Sequence, residues 1–241
     1  MYFLNCYLRQ AYSEGELKVI INEMPTLLKM KEFSVKVEKL YSYDEIQELL
    51  SDTNEKQYSK KENGVYYTPT DIVEFILINS VKMACGELDE NNIGELDMKE
   101  IPYDSFCYEK TVYDPTCGAG VFLLAALEKK LDLLDMNVKN VTNDMVEKVV
   151  ATLKGNDVNK DSIAITKLRL LLSVLRRYGV SKIKGLSTIM DGCFTSYDFV
   201  SKKPDVKKKY DIIIGNPPYV EDSRSVSKPA VKYGNIYANV L

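Results

Sequence analysis

The chain has 241 residues, 32 Lys and Arg against 35 Asp and Glu, and no histidine, giving a formal charge of −3. That length suits one α/β domain with an addition, the charge has the wrong sign for strong phosphate-backbone binding by this chain alone, and the lack of histidine rules out a histidine base. The five cysteines (Cys6, Cys85, Cys107, Cys117, Cys193) form no Cys-x-x-Cys pair, so no metal site is expected. No apolar run reaches membrane-spanning length and the start lacks a basic export signal, which predicts a cytoplasmic protein with no membrane partner.

Residues 13–29 and 34–50 carry apolar positions at three- and four-residue spacing and read as helices. The polar stretch 51–64 has almost nothing to bury and reads as a flexible connection. Residues 1–60 are thus expected to be a helical appendage and linker, ahead of a main domain over 61–241. Thr70-Asp71, preceded by Pro69, starts a helix to about residue 84. Then come a short strand at 111–113, helices at 120–134 and 141–150, a weak strand at 151–155 and a long amphipathic helix at 160–178. Residues 186–190 and 210–214 read as strands, the second the most apolar. Lys202, Lys203, Lys207, Lys208 and Lys209, around Pro204-Asp205, read as a solvated loop between them. This alternation predicts a doubly wound, mainly parallel α/β sheet, whose ligands meet the carboxyl ends of the strands.

Two segments carry chemistry. In the first, Asp211-Ile-Ile-Ile-Gly-Asn216-Pro217-Pro218-Tyr219, an apolar strand runs into a loop stiffened by two prolines. Consecutive prolines cannot continue a sheet, so the loop's carbonyls are left to accept. The Asn216 carboxamide adds an acceptor and Tyr219 a flat π face, a combination suited to a planar amine such as a nucleobase amino group. A plain turn after a buried strand is the alternative.

The second segment, Asp114-Pro115-Thr116-Cys117-Gly118-Ala119-Gly120, joins a strand to a helix start. Its glycines let backbone pass close to a ligand. Position 123 is Leu where a dinucleotide motif needs glycine, and Asp114 would repel a pyrophosphate. The same carboxylate suits the ammonium and sulfonium of S-adenosylmethionine. Asp157 stands about forty residues further on, at a strand end, where it is either a helix cap or an acceptor for both ribose hydroxyls of an adenosine.

In this order the motifs resemble the γ-type N(6)-adenine DNA methyltransferases of restriction-modification systems, over about residues 60–241. Gly64-Val-Tyr-Tyr67-Thr68-Pro69 matches that family's N-terminal cofactor motif, Asp114 to Gly120 its central cofactor motif, Asp157 its acidic ribose position and Asn216-Pro-Pro-Tyr219 its catalytic motif. The resemblance implies a Rossmann-like class I methyltransferase fold. It further implies S-adenosylmethionine bound by Tyr67, Thr68, Pro69, Asp114, Pro115, Gly118, Gly120, Asp157 and Asp191, and methyl transfer to adenine in DNA at Asn216, Pro217, Pro218 and Tyr219. Asp191-Gly192-Cys193-Phe194 registers with the family's adenine-contact position in two ways, through Asp191 or Gly192.

The chain stops at Asn235-Ile-Tyr-Ala-Asn-Val-Leu241, which resembles the opening of the helix after the catalytic loop. The rest of the sheet and a DNA target-recognition module are therefore expected outside it, together with a possible specificity or restriction subunit as partner. Two other readings stand beside this one. A protein-glutamine or RNA-base methyltransferase would present a similar planar amide or amine to the loop, and a cofactor-binding but catalytically idle subunit or fragment would keep the glycine turn without turnover.

Overall fold

The structure is a computed structural model that describes residues 2–24, 39–57, 68–85, 101–199 and 209–217. The lysine-rich stretch up to Lys208, together with Tyr67, Pro218 and Tyr219, lies outside these residues.

Four parallel strands form the sheet: β1 (Val112–Asp114), β2 (Leu153–Asn156), β3 (Phe194–Thr195) and β4 (Ile212–Ile213), in spatial order β3-β2-β1-β4. From β1 the chain winds outward through β2 to β3 and then returns to lay β4 on the other side of β1. The direction of winding therefore reverses between β1 and β4, the place where open α/β sheets bind ligands. Val112 and Tyr113 of β1 stand opposite Ile212 and Ile213 of β4. Asp211 sets this register: its carboxylate accepts from the backbone N–H and the hydroxyl of Thr111, both at 2.8 Å, while its own N–H donates to that hydroxyl at 3.0 Å.

The helices follow local signals. Ser13 and Glu16 form a reciprocal capping box at the start of α2 (Glu14–Glu23), which follows α1 (Tyr2–Ala11). Ser42 and Glu45 exchange the same pair of hydrogen bonds at the start of α3 (Tyr43–Gln57). The helix expected to reach residue 29 ends at Glu23 instead, with Met24 extended at φ −68° and ψ 145°. Pro25 accounts for this, because a residue before proline is pushed out of the helical region. Next comes α4 (Thr70–Cys85), and α5 (Val121–Asn137) packs directly against β1 and β2. Thr142 caps α6 (Asn143–Ala151), and Asn159 caps α7 (Lys160–Tyr178), which closes with Arg176 and Arg177 in its last turn and Gly179 after it.

Residues 186–190, expected as a strand, belong to helix α8 (Leu186–Cys193), and the strand follows eight residues later as β3. The run Leu-Ser-Thr-Ile-Met is too short for its apolar content to separate the two states. What decides is burial of Leu186, Met190 and Cys193, a helical spacing, behind Gly185 at φ 84°.

Residues 51–57, expected within the linker, belong to α3, which runs on to Gln57, and residues 58–64 lie outside the described ones. The helices described within the first sixty residues, α1, α2 and α3, do not stand apart from the sheet. α3 lies along α7, and Leu4, Leu8, Leu17, Ile20, Ile46 and Leu50 belong to one buried apolar cluster with Leu127, Leu168 and Leu171. Gln47 reinforces the contact, accepting from Arg169 Nε at 2.8 Å and donating to the Arg169 carbonyl at 3.2 Å.

A buried lysine secures the end of the sheet away from the site. Lys130 of α5 is 0% exposed, and its Nζ donates to the carbonyls of Phe106 and, at 2.9 Å, Lys110. Phe106 lies in a π-helical turn (Ser105–Glu109) that leads into β1, and such a turn leaves carbonyls unpaired. Desolvation pulls the Lys130 ammonium down to about 7.

If α3 is part of the core, Ile46→Ala, at a site with 0% exposure, should destabilise the whole molecule by about 2–5 kcal/mol. Denaturant unfolding followed both by far-ultraviolet dichroism and by tyrosine signals from the sheet measures this. A sheet transition that stays put while only helix signal is lost would show α3 to be a separate unit.

Candidate functional site

Three chain segments leave the carboxyl edge of the sheet side by side: the turn after β1, the residues after β2, and the exit from β4. The turn after β1 is built on two left-handed glycines, Gly118 (φ 53°) and Gly120 (φ 77°). At Gly120 a side chain is excluded twice over. The backbone is strained for any L residue, and a Cβ there would lie 2.4 Å from Thr166 Cγ2, on a β-branched side chain with little freedom to move. α7 grips the outside of the turn. Thr166 Oγ1 donates to the Gly118 carbonyl at 2.8 Å and Arg169 Nη1 to the Ala119 carbonyl at 2.6 Å.

Asp157, directly after β2, pins the turn from the other side. One carboxylate oxygen accepts from the Gly118 N–H at 2.8 Å and the other from the Asn159 N–H at 2.9 Å. A carboxylate offers about four acceptor positions, so both oxygens keep capacity for a ligand. Desolvation nevertheless raises its carboxyl above the usual range.

Asp114 closes β1. It is 1% exposed, accepts from the Thr116 N–H at 3.0 Å, and faces no cation among the described residues. Burial pushes its carboxyl up to about 8, with the neighbouring negative charge of Asp157 adding in the same direction. Beside it, Thr116 Oγ1 is buried without a partner among the described residues. A buried acid that meets no cation among the described residues and an unsatisfied hydroxyl thus stand side by side at this edge.

β4 then brings the proline loop to this acid. A Cβ on Gly215 would stand 2.6 Å from Asp114 Oδ1 and 3.1 Å from its Cγ, so any other residue here would have to displace the buried carboxylate. The next residue, Asn216, donates through Nδ2 to Thr68 Oγ1 at 3.1 Å. That bond joins the segment ahead of α4 to the exit of β4 across 148 residues of sequence.

Of the residues expected to form the site, Thr68, Pro69, Asp114, Pro115, Gly118, Gly120, Asp157, Asp191, Asn216 and Pro217 are described. Bonds and contacts link Asp114, Gly118, Asp157, Asn216 and Thr68 into one network at a single edge of the sheet. Asp191 is not brought there. It lies in the last turns of α8, before β3 rather than after it, and its exposed carboxylate meets Lys167 Nζ at 2.7 Å.

Three residues of the network escaped sequence reasoning. Gly215 is one, although a glycine between an apolar strand and Asn-Pro-Pro is a readable sign of close backbone approach. Asn156 is another. Its Nδ2 donates to the carbonyls of Pro115 (2.9 Å) and Tyr197 (3.0 Å), while its Oδ1 accepts from Thr195 Oγ1 (3.0 Å) and the Tyr197 N–H (3.2 Å). All four bonds reach segments distant in sequence. Arg169, buried at 6% exposure, is the third, and nothing in the helical periodicity of α7 marks it.

The raised carboxyl of Asp114 gives a signed pH effect. Its folded value of about 8 lies above the unfolded value of about 3.9, so the folded, ligand-free protein holds the proton more tightly. The stability it contributes is full below about pH 4 and is lost as pH rises toward 8. Between pH 5 and 6, below the midpoint of the Lys130 titration, the wild-type protein should lose thermal stability relative to Asp114→Asn. Parallel melting-temperature curves for the two proteins across that window would contradict a buried, proton-holding Asp114.

Comparison with known proteins follows the same outline. The sequence profile of the family described as N-6 DNA Methylase matches residues 45–238, a span that takes in most of α3 and all four described strands. The type II methyltransferase M.BstVI of Geobacillus stearothermophilus is 25% identical over 186 residues, covering 76% of this chain and 29% of that protein. The type II methyltransferase M.VspI of Vibrio sp. (strain 343) is 25% identical over 173 residues, covering 70% and 29%. The adenine-specific methyltransferase PglX of Streptomyces coelicolor is 25% identical over 200 residues, covering 67% and 15%. The chain therefore spans less than a third of the length of the curated relatives it matches.

Proposed function

Since this chain belongs to the N-6 DNA Methylase family, we propose that the protein it represents transfers a methyl group from S-adenosylmethionine to the exocyclic amino group of adenine in DNA, as part of a restriction-modification system. The observation that carries the reading is the junction at the sheet edge. Asn216, the acceptor for the amine, stands one residue beyond a glycine packed against Asp114, the buried acid of the cofactor turn.

The residues present fit a cationic adenosine ligand. Asp114, buried and unneutralised, would hold its positive charge, the orphaned Thr116 hydroxyl would gain a partner, and the free acceptor positions of Asp157 would take ribose hydroxyls. Thr68, Pro69, Pro115, Gly118 and Gly120 would line the same place. When bound, S-adenosylmethionine supplies an activated methyl group on its sulfonium.

The protein's own work is then positioning and electrostatics, which accounts for a site without histidine. An adenine amino group inside a duplex is out of reach, so the base must swing out, at a cost of a few kcal/mol. Stacking on Tyr219 would offset part of this, such contacts being worth about 1–3 kcal/mol per base. The Asn216 Oδ1 and the Pro217 carbonyl accept the two amino hydrogens. These two bonds draw the nitrogen lone pair out of ring conjugation and aim it as a nucleophile. The formal charge of −3 disfavours strong DNA backbone contact by this chain alone, which supports a reading in which a target-recognition module or a specificity or restriction partner supplies most of it.

Two substitutions separate the roles. Asn216→Ala should lower methyl incorporation into DNA by about 10²–10³ while leaving cofactor affinity within about threefold. Asp157→Ala should instead weaken cofactor binding by about 1.5–3 kcal/mol, the worth of hydrogen bonds to a charged group. Calorimetry with S-adenosylmethionine and tritium transfer from the labelled cofactor to DNA, ribosomal RNA and protein measure both. Label arriving in RNA or protein and not in DNA would replace the substrate assignment, and an Asn216→Ala protein with unchanged transfer would remove Asn216 from the chemistry.

A further inference from the structure

We infer that Arg169 is a positioning residue for the cofactor turn and that Gln47 of α3 acts through it, the pair holding the Ala119 peptide in the orientation that keeps the turn ready for its ligand. This rests on the function proposed above and extends its machinery to a helix outside the sheet.

The need for such a device comes from glycine. A glycine takes positive and negative φ about equally readily, so its own sterics do not enforce the left-handed conformations of Gly118 (φ 53°) and Gly120 (φ 77°). Ala119 stands between them, and the peptide planes on either side of it are free to turn over unless an outside group holds them. α7 supplies one donor to each of the two carbonyls. Thr166 Oγ1 holds that of Gly118 at 2.8 Å and Arg169 Nη1 that of Ala119 at 2.6 Å. In a trans peptide the N–H points opposite to the carbonyl. The arginine bond therefore also directs the Gly120 N–H, which donates to the Cys117 carbonyl at 2.7 Å.

Arg169 can do this only if its own long side chain is fixed. Its Nε donates to Gln47 Oε1 at 2.8 Å, and Gln47 Nε2 returns a bond to the Arg169 main-chain carbonyl at 3.2 Å. Both ends of the Gln47 amide are thereby assigned, because a guanidinium only donates and a main-chain carbonyl only accepts. Both side chains are buried, so water offers little substitute for either bond. Docking α3 on α7 does not by itself call for a buried guanidinium. Apolar side chains dock helices without its desolvation cost, and one apolar cluster already joins Ile46 and Leu50 to Leu168 and Leu171. What the guanidinium adds is reach, a single group that touches α3 and the turn at once.

Without that group the Ala119 peptide would sample both orientations, and a ligand that binds only one loses affinity in proportion to the fraction still competent. A turn competent about a tenth of the time raises the apparent dissociation constant about tenfold.

The test uses the full-length protein, calorimetry with S-adenosylmethionine, and amide hydrogen exchange of the ligand-free protein, under conditions where dichroism shows each variant folded. Arg169→Met keeps the apolar stem and removes the donors. It should raise the cofactor dissociation constant about tenfold and speed exchange at the Gly118 and Gly120 N–H groups. Gln47→Met should act in the same direction, raising the constant about three- to fivefold. Because Gln47 acts through Arg169, adding Gln47→Met to Arg169→Met should cost less than about twofold more. Ile46→Ala, at the preceding residue of α3, loosens the helix without removing any of these bonds, and should leave the constant within about twofold of wild type. Equal losses of affinity in Ile46→Ala and Gln47→Met, independent losses that multiply in the double variant, or wild-type affinity or wild-type exchange in Arg169→Met would each overturn the inference while leaving the methyltransferase reading intact. If Arg169→Met does not fold, the comparison of Gln47→Met with Ile46→Ala decides. Absence of S-adenosylmethionine binding by the wild-type protein would instead sink the functional reading, and this inference with it.

Discussion

The site depends on a missing side chain. Where β4 leaves the sheet, Gly215 runs against the Asp114 carboxylate so closely that a single Cβ would lie 2.6 Å from its Oδ1. That approach brings two segments together: the turn that follows β1, proposed above to receive the cofactor, and the exit from β4, proposed to receive the amine. It is possible only because β4 crosses back to the far side of β1, which leaves both strand ends at the same edge with nothing between them. Winding order supplies the neighbourhood, and glycine supplies the last few ångströms.

The same edge is where the protein concentrates its unfavourable electrostatics. Asp114 and Asp157 converge on one turn, both with carboxyls raised by desolvation. The cost is carried by the surrounding framework, in which backbone N–H groups of Gly118, Asn159 and Thr116 are spent on the acids and α7 holds the turn's carbonyls through Thr166 and Arg169. Arg169 in turn is fixed by Gln47 of α3. An N-terminal helix is thereby connected to the shape of the turn after β1, and the family match begins at residue 45, inside that helix.

Most of the architecture was legible from pattern. The long helix over 160–178 stands as the sequence implied, because its ends carry a cap, terminal arginines and a following glycine. The failures share a cause. Leu-Ser-Thr-Ile-Met reads as a strand until burial on one helical face is known. Residues 51–57 read as a linker because a polar surface helix and a polar coil have the same composition, and Asp191 was carried along by the misplaced strand. The N-terminal helices looked detachable because sequence shows how much apolar surface an element has, and not which other element covers it.

By itself the sequence determined the chemistry available: an acid before a glycine turn, a second acid after the next strand, and an amide ahead of two prolines, in an order shared with one family. Those are properties of residue type and local conformation, which short-range sterics and hydrogen bonding dictate. Only the tertiary structure decided which of these groups meet. The bond from Asn216 to Thr68, the grip of Asn156 on the turn after β1 and on residues 195–197, and the pressing of Gly215 against Asp114 join residues as much as 148 positions apart. Such pairings follow from strand order and helix docking, which the packing of the whole chain selects and no local segment encodes.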